Sequence, residues 1–251
     1  FTFNASIVTM LTNIDLPIED RDGAVLAATI LLVRDGEDGL EILLLKRNAN
    51  AKNMADVWML PGGKIDEEDT GSNELERAAR GGLRELSEEA DVSLDLDSLT
   101  TFSHWLTPAG QKRRFATWFF IAALPAEAAV KVDGEEMVEA TWMSPSDAVY
   151  EHRAGRLRLP PPTVVSLLDV SISASALEAI QRASQRQAPY FFPKILADNP
   201  DDIVMLYPGD AGYETGDREA EGDRHRAFWV DGVIDYERSF EFPQQSPLIT
   251  P

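Results

Sequence analysis

Glu85, Glu88 and Glu89 crowd three carboxylates into the run Arg84-Glu85-Leu86-Ser87-Glu88-Glu89-Ala90. On a helix turning ~100° per residue they fall within an arc of about 100°. That arc lies beside the apolar stripe Leu75, Ala79, Leu83, Leu86 and Ala90 rather than opposite it, so the acids stand at the edge of the buried surface. Carboxylates so close repel one another, and a divalent cation held among them would remove the conflict. An isolated acidic triplet more often only solvates a helix face, so the surrounding residues decide the reading. Upstream stands Pro61-Gly62-Gly63, where two glycines permit backbone shapes and close approaches that side chains would block.

Several elements must position these groups. Residues 24–33 and 41–46 are apolar runs separated by Asp35-Gly36-Glu37-Asp38-Gly39, which predicts two strands buried on both faces and a turn between them. The acidic helix spans residues 73–90. Strands are expected at 100–106, 114–122 and 139–143, followed by a short helix entered at Ser144-Pro145. Strands and helices interleave, so the fold class is α/β or α+β. Pro160-Pro161-Pro162 then punctuates the chain, with Thr163 expected to cap a helix over 164–170, and Asp231-Gly232 predicts a hairpin between two short apolar runs. The organisation expected is a leader over 1–22, a main domain over 23–159 and a C-terminal extension of helix plus β-hairpin over 160–251.

Composition bounds the chemistry. With 251 residues, 44% hydrophobic and 26% charged, the chain resembles ordinary globular proteins and can bury a real core. No cysteine is present, so thiolate metal sites and cysteine nucleophiles are excluded. Any metal falls to oxygen ligands or to the three histidines, and oxygen favours Mg²⁺, Mn²⁺ or Ca²⁺. A formal charge of -20 argues against a nucleic-acid polymer as partner, because such binding rests on lysine and arginine. A small anionic substrate remains compatible, since a metal and local arginines reverse the potential inside one cleft. No run reaches the ~18 apolar residues of a membrane span and no secretory signal is read, so a soluble, cytoplasmic protein is expected. His104 and His225, like Trp58, Trp105 and Trp118, read first as packed core residues.

Gly62-Gly63, Glu76 and Arg84-Glu85-Leu86-Ser87-Glu88-Glu89-Ala90-Asp91-Val92 together resemble the Nudix box, a glycine, a glutamate, then Arg-Glu-apolar-x-Glu-Glu-x-Gly-apolar. Two departures stand out. Gly63 lies seven residues farther from Glu76 than the pattern's spacer allows, which predicts an insertion around 67–72, and Asp91 replaces the glycine that ends the helix. Gly81 and Gly82 stand where small residues are usual and weaken the helix unless something approaches its backbone closely. The resemblance extends from about Ala24 to Thr163 and is similar to the coenzyme A diphosphatase-like branch, carried by Leu43-Leu44-Leu45-Lys46-Arg47, Trp105-Leu106-Thr107-Pro108, Arg113 to Phe120, Trp142-Met143-Ser144-Pro145 and Pro161-Pro162-Thr163.

This resemblance implies an α/β/α sandwich around a mixed sheet and a metal-dependent hydrolase of a diphosphate linkage. It implies Mg²⁺ or Mn²⁺ held by Glu85, Glu88, Glu89 and the carbonyl of Gly63. Glu88 or Glu89 is the expected general base, with Glu136 of the Asp133-Gly134-Glu135-Glu136 loop as a competitor. Arg47, Arg113 and Arg114 are candidates for substrate phosphate contact, against exposed salt bridges as the alternative, while Arg84 is expected to clamp neighbouring carboxylates. Coenzyme A or acyl-CoA is the first substrate implied; NADH, ADP-ribose or a nucleotide sugar is the alternative. A Nudix-fold binding module without catalysis is the reading from another class. Oligomeric state is not readable.

Overall fold

The computed structural model describes residue 21, residues 23–199 and residues 202–244. The leader expected over 1–22 therefore lies outside the described residues except for Arg21. Two apolar runs open the fold as the hairpin β1 (Val25–Gly36) and β2 (Gly39–Arg47), closed by the pairing of Gly36 with Gly39. Ile30, Leu31, Leu32 and Val33 on β1 and Ile42 to Leu45 on β2 are fully buried. Continuous burial on both faces is what the unbroken apolar runs require.

Two short strands follow, β3 (Trp58–Met59) and β4 (Gly62–Lys64), then helix α1 (Glu74–Ala90). Next come β5 (Thr100–Leu106), β6 (Phe115–Ala123), β7 (Met137–Met143) and α2 (Pro145–Arg153). Strand β1 runs parallel to β6 and antiparallel to β2 and β4, while β7 pairs with β2, so the sheet is mixed. Helix α1 covers one face, packing Leu75, Ala78, Ala79, Leu86 and Ala90 against Ala28, Ile30, Leu32, Trp118 and Phe120. On the other face Leu31, Val33, Ile42, Leu44, Phe119 and Ile121 meet residues from α2 and from two later helices. The result is the expected sandwich. Each fully buried leucine or isoleucine in it contributes roughly 1.5–3 kcal/mol.

Those later helices are α3 (Pro161–Val170) and α4 (Ala176–Ser184). The expectation that Thr163 caps α3 is corrected: Pro160 occupies the cap, prolines fill the first turn, and Thr163 is buried inside the helix. Proline suits that turn because its missing N–H would have no helical partner there. The chain continues through β8 (Tyr190–Phe191), which pairs parallel with β5 and extends the first sheet. A second, antiparallel sheet then forms in the order β12-β11-β10-β9 from β9 (Lys194–Asn199), β10 (Asp202–Leu206), β11 (His225–Val230) and β12 (Val233–Arg238). The Asp231-Gly232 hairpin is present, with both residues at positive φ. Beyond the expected helix and hairpin, the described residues of the C-terminal region thus hold a further helix and three further strands.

This region shares its core with the first sheet. Trp105 stacks on Phe191 with ring centroids 4.0 Å apart, and Tyr207, Ala227, Ile234 and Phe242 join the same hydrophobic cluster. His152 of α2 spans the join. Its Nδ1 donates to the carbonyl of Leu157 and its Nε2 accepts from the N–H of Ile234 on β12, each at 2.8 Å. No helix among the described residues is long and apolar enough to cross a membrane.

Candidate active site

Helix α1 is set in place at both ends. Asn73 accepts the N–H of Glu76, and Glu76 in turn accepts the N–H and hydroxyl of Ser72, a reciprocal cap of the first turn. Ser72 and then Arg80 hold the Glu76 carboxyl down to about 2. Glu76 is therefore engaged in capping and in its i+4 pair with Arg80. At the far end Asp91 adopts φ 55° and ψ 35° and returns its N–H to Ser87, so aspartate serves where the box pattern has glycine.

The insertion has a structural use that the sequence did not disclose. Asp69, buried, accepts two hydrogen bonds from Arg84, at 3.2 Å from Nε and 3.0 Å from Nη2. Arg84 also reaches the Lys64 carbonyl at 2.9 Å and Asp66 at 3.5 Å, and its Nη1 lies 3.0 Å from both Glu85 and Glu88. Glycine at 81 makes room for this clamp, because a Cβ there would meet Asp69 Oδ2 at 2.8 Å. Gly82 does the same for β1, where a Cβ would stand 3.2 Å from the Ala28 methyl. The two helix glycines that appeared costly thus admit the inserted loop and the central strand. Arg84 is committed to carboxylates, as its position suggested.

Strand β4 brings Gly62 and Gly63 against β1 at Thr29 and Ala28, beneath the acidic edge of α1. Glu89 is only 4% exposed, and the Gly62 N–H donates to its Oε2 at 2.8 Å. Burial pushes its carboxyl up to about 8, and the nearby charges of Glu85 and Glu136 act in the same direction. Gly62 and Arg47 oppose the rise without cancelling it. Half-buried Glu85 lies directly over Gly63, and it too is raised, by burial first, against the pull of Arg84. Glu136 stands on a turn pinned by Asp133, whose Oδ1 accepts the N–H groups of Glu135 and Glu136 at 2.6 Å. Its carboxylate pairs with Arg47 at 2.8 Å.

Glu85, Glu136 and Arg47 therefore lie within electrostatic reach of Glu89, beside the Gly62-Gly63 backbone. Glu88 is turned to solvent and to Arg84. Arg113 and Arg114 sit elsewhere, just before β6. Arg114 donates to the Thr107 carbonyl at 3.1 Å and Arg113 lies over the Phe115 ring. Gly63 is level with Trp118 across β1, four residues on from Arg114 and about 13 Å along the strand. His104 and His225 are core residues. Burial holds His104 near 3 and His225 near 4, and each packs its ring against aromatic neighbours.

Among the described residues no three Asp, Glu or His side chains converge into a ready-made cation site. The donor chemistry nonetheless fits a hard divalent ion. The ligands at hand are carboxylate and carbonyl oxygens, and a buried carboxyl raised to about 8 beside two further acids is the strain that a cation relieves. Glu88 joins such a set only on leaving Arg84.

A model of the NUDIX domain matches residues 24–161. The chain is 27% identical over 207 residues to a Caenorhabditis elegans protein described as putative nudix hydrolase 7, covering 68% of this chain and 69% of that one. It is 33% identical over 136 residues to the human acyl-coenzyme A diphosphatase NUDT19, covering 49% of this chain and 34% of the relative. The chain thus spans about a third of that relative's length. A crystal structure of a NUDIX hydrolase from Alicyclobacillus acidocaldarius shares the fold, with a TM-score of 0.58 at 21% identity, over 63% of this chain and 96% of that one. With more than half of its residues matched by the domain model and the box helix folded against its glycine strand, the chain belongs to the Nudix hydrolase family.

Proposed function

We propose that this chain hydrolyses the diphosphate linkage of a small nucleotide-containing molecule, with coenzyme A or an acyl-coenzyme A as substrate. The products are phosphopantetheine, or its acyl form, and adenosine bisphosphate. One observation carries the reaction class: buried Glu89, flanked by Glu85 and Glu136, held against the backbone of Gly62 and Gly63. The likeness to the acyl-coenzyme A diphosphatases supports the choice of substrate.

A diphosphate resists hydrolysis because water is a weak nucleophile and phosphorus is ringed by negative oxygens. Mg²⁺ or Mn²⁺, held by Glu85, Glu88, Glu89 and the Gly63 carbonyl, would polarise those oxygens and acidify a water. The residues of the chain supply the rest. Glu89 is the base: Gly62 fixes its Oε2, leaving Oε1 to take the proton as the water oxygen bonds to phosphorus and the bridging P–O bond breaks. Arg84 keeps Glu85 oriented while drawing on Asp69 for its own position, and it releases Glu88 to the metal. Arg47 contacts substrate phosphate once it yields Glu136, and Arg113 and Arg114 serve a more distant part of the molecule.

The test is product analysis by mass spectrometry. Coenzyme A, acyl-coenzyme A, NADH, ADP-ribose and a nucleotide sugar are incubated with Mg²⁺ or Mn²⁺, with and without chelator. Chelator-sensitive release of adenosine bisphosphate from coenzyme A or its esters is expected. Cleavage of another substrate alone removes the coenzyme A assignment and keeps the reaction class. Tight ligand binding with no metal binding and no hydrolysis replaces the enzyme with a binding module.

A further inference from the structure

An open groove of about 460 Å³ adjoins the carboxylate cluster, lined by Arg47, Asn48, Asn50, Lys52, Asn53 and the Glu135-Glu136 turn. This volume suits a nucleoside-sized group. Arg47 and Glu136 belong both to the groove and to the surroundings of Glu89, so the groove opens onto the place where the diphosphate is cut.

Its walls are built rather than incidental. The Asn48 amide nitrogen donates to the Glu135 carbonyl and the Asn48 N–H to the Glu136 carbonyl, both at 2.9 Å. Asn48 Oδ1 accepts the N–H of Asn50, and its carbonyl accepts the N–H of Ala51. One asparagine thereby fastens the 48–51 loop to the acidic turn and fixes the width of the groove. On this frame Arg47 is neutralised by Glu136, whereas Lys52 is exposed and has no ion pair among the described residues. In a protein of formal charge -20, a lysine left free beside the reaction centre is a docking point for an anion. Asn50 and Asn53 line the groove with it and carry amide groups able to donate to phosphate oxygens.

We propose that this groove takes the nucleoside end of the substrate and that Lys52 recognises a phosphate monoester carried there, separate from the diphosphate that is cleaved. The assignment rests on the diphosphatase reading and deepens it: the preferred substrates are nucleotides bearing an additional phosphate. Glu135 lines the same groove, and its negative charge opposes the approach of an anion.

Calorimetry with the full chain tests this without turnover, using adenosine 3′,5′-bisphosphate and adenosine 5′-monophosphate as probes. Wild type should bind the bisphosphate about tenfold more tightly. Lys52→Ala should bring the two affinities together, and Lys52→Arg should restore most of the difference. Equal affinities in wild type, or an unaltered difference in Lys52→Ala, overturn the assignment. In parallel, the ratio of kcat/KM for coenzyme A over 3′-dephospho-coenzyme A should fall about tenfold in Lys52→Ala. Hydrolysis of neither compound, nor of NADH, ADP-ribose or a nucleotide sugar, with the calorimetric difference intact, rejects the diphosphatase reading and leaves the phosphate subsite standing.

Discussion

Gly62 and Gly63 are neighbours, yet replacing each by alanine should do opposite kinds of damage. Gly62 holds φ at 149°, a region that favours glycine, and a Cβ there would collide with the Ala28 carbonyl oxygen and lie 2.7 Å from the Thr29 Cα. Both obstacles are backbone of the central strand, which can retreat only by opening the β1–β4 ladder and releasing the Glu89 carboxyl from the Gly62 N–H. Strain at such a backbone costs about 1–3 kcal/mol, and the lost pairing brings Gly62→Ala to a destabilisation of roughly 3–5 kcal/mol. At Gly63 the obstacle is different: a Cβ would stand 2.5 Å from Oε1 and 2.6 Å from Oε2 of Glu85, the far end of a flexible side chain held by Arg84. The carboxylate can swing aside for about 1 kcal/mol of rotamer strain, but it then leaves the cluster. Gly63→Ala should keep its fold and lose at least a hundredfold in turnover. Urea denaturation and initial rates, measured on the same two preparations, separate the cases. Full activity in Gly63→Ala would refute the role given to Glu85, and wild-type stability in Gly62→Ala would refute the tight approach of the two strands.

Three further outcomes follow from charge and burial. Glu89→Gln should lower turnover by orders of magnitude. In chelator it should also remove a pH dependence: the folded chain keeps the Glu89 proton to about pH 8 while the unfolded chain releases it near 4.5. Stability from this group is therefore full below pH 4.5 and lost as pH rises toward 8, so the variant should gain on wild type by on the order of 4 kcal/mol between pH 5 and 8.5. His104 and His225 act with the opposite sign, because burial holds them near 3 and 4 against 6.5 when unfolded. The unfolded chain takes up these protons first, so stability present above pH 6.5 should fall as pH drops toward 4, and His104→Phe should flatten that slope by about one proton in acid titrations of unfolding free energy. Finally, Asp210 accepts Nε and Nη2 of Arg226 at 2.8 and 2.7 Å in a buried pair, together with the N–H groups of Gly212 and His225. Asp210→Ala should cost roughly 3–5 kcal/mol in chemical denaturation by stranding the guanidinium, and a loss below 1 kcal/mol would show that water reaches it.

Much of the first half of this architecture was legible in the residues. Leu75, Ala79 and Leu86 marked the inner face of α1, and unbroken runs such as Ile30 to Val33 marked strands buried on both sides. The acidic edge of that helix was readable for the same reason, since helical spacing fixes where Glu85 and Glu89 project. Periodicity could not show that Glu88 turns to Arg84, or that Asp69 from the insertion completes the clamp, because both depend on where a loop folds back. Helix α4 escaped notice because its inner face is Ala176, Ala179 and Ala183, whose small side chains give a weak apolar signal. Strands β8, β9 and β10 are short and take their partners from distant segments, so their local pattern carried little information. The proximity of Glu136 to Glu89 is likewise a product of sheet pairing: β7 beside β2 sets that acidic turn next to Arg47.

Strand β8 is two residues long, yet it occupies a sensitive position. Without Tyr190 and Phe191 alongside His104 and Trp105, β5 would form the rim of the large sheet, with open amide groups and aromatic side chains available to another molecule. The C-terminal region closes that rim with a segment too brief to recruit a further strand itself. A chain ended after α3 would retain every acid of the box helix and leave that rim uncovered, so the residues that share a core with the sheet also shield its edge.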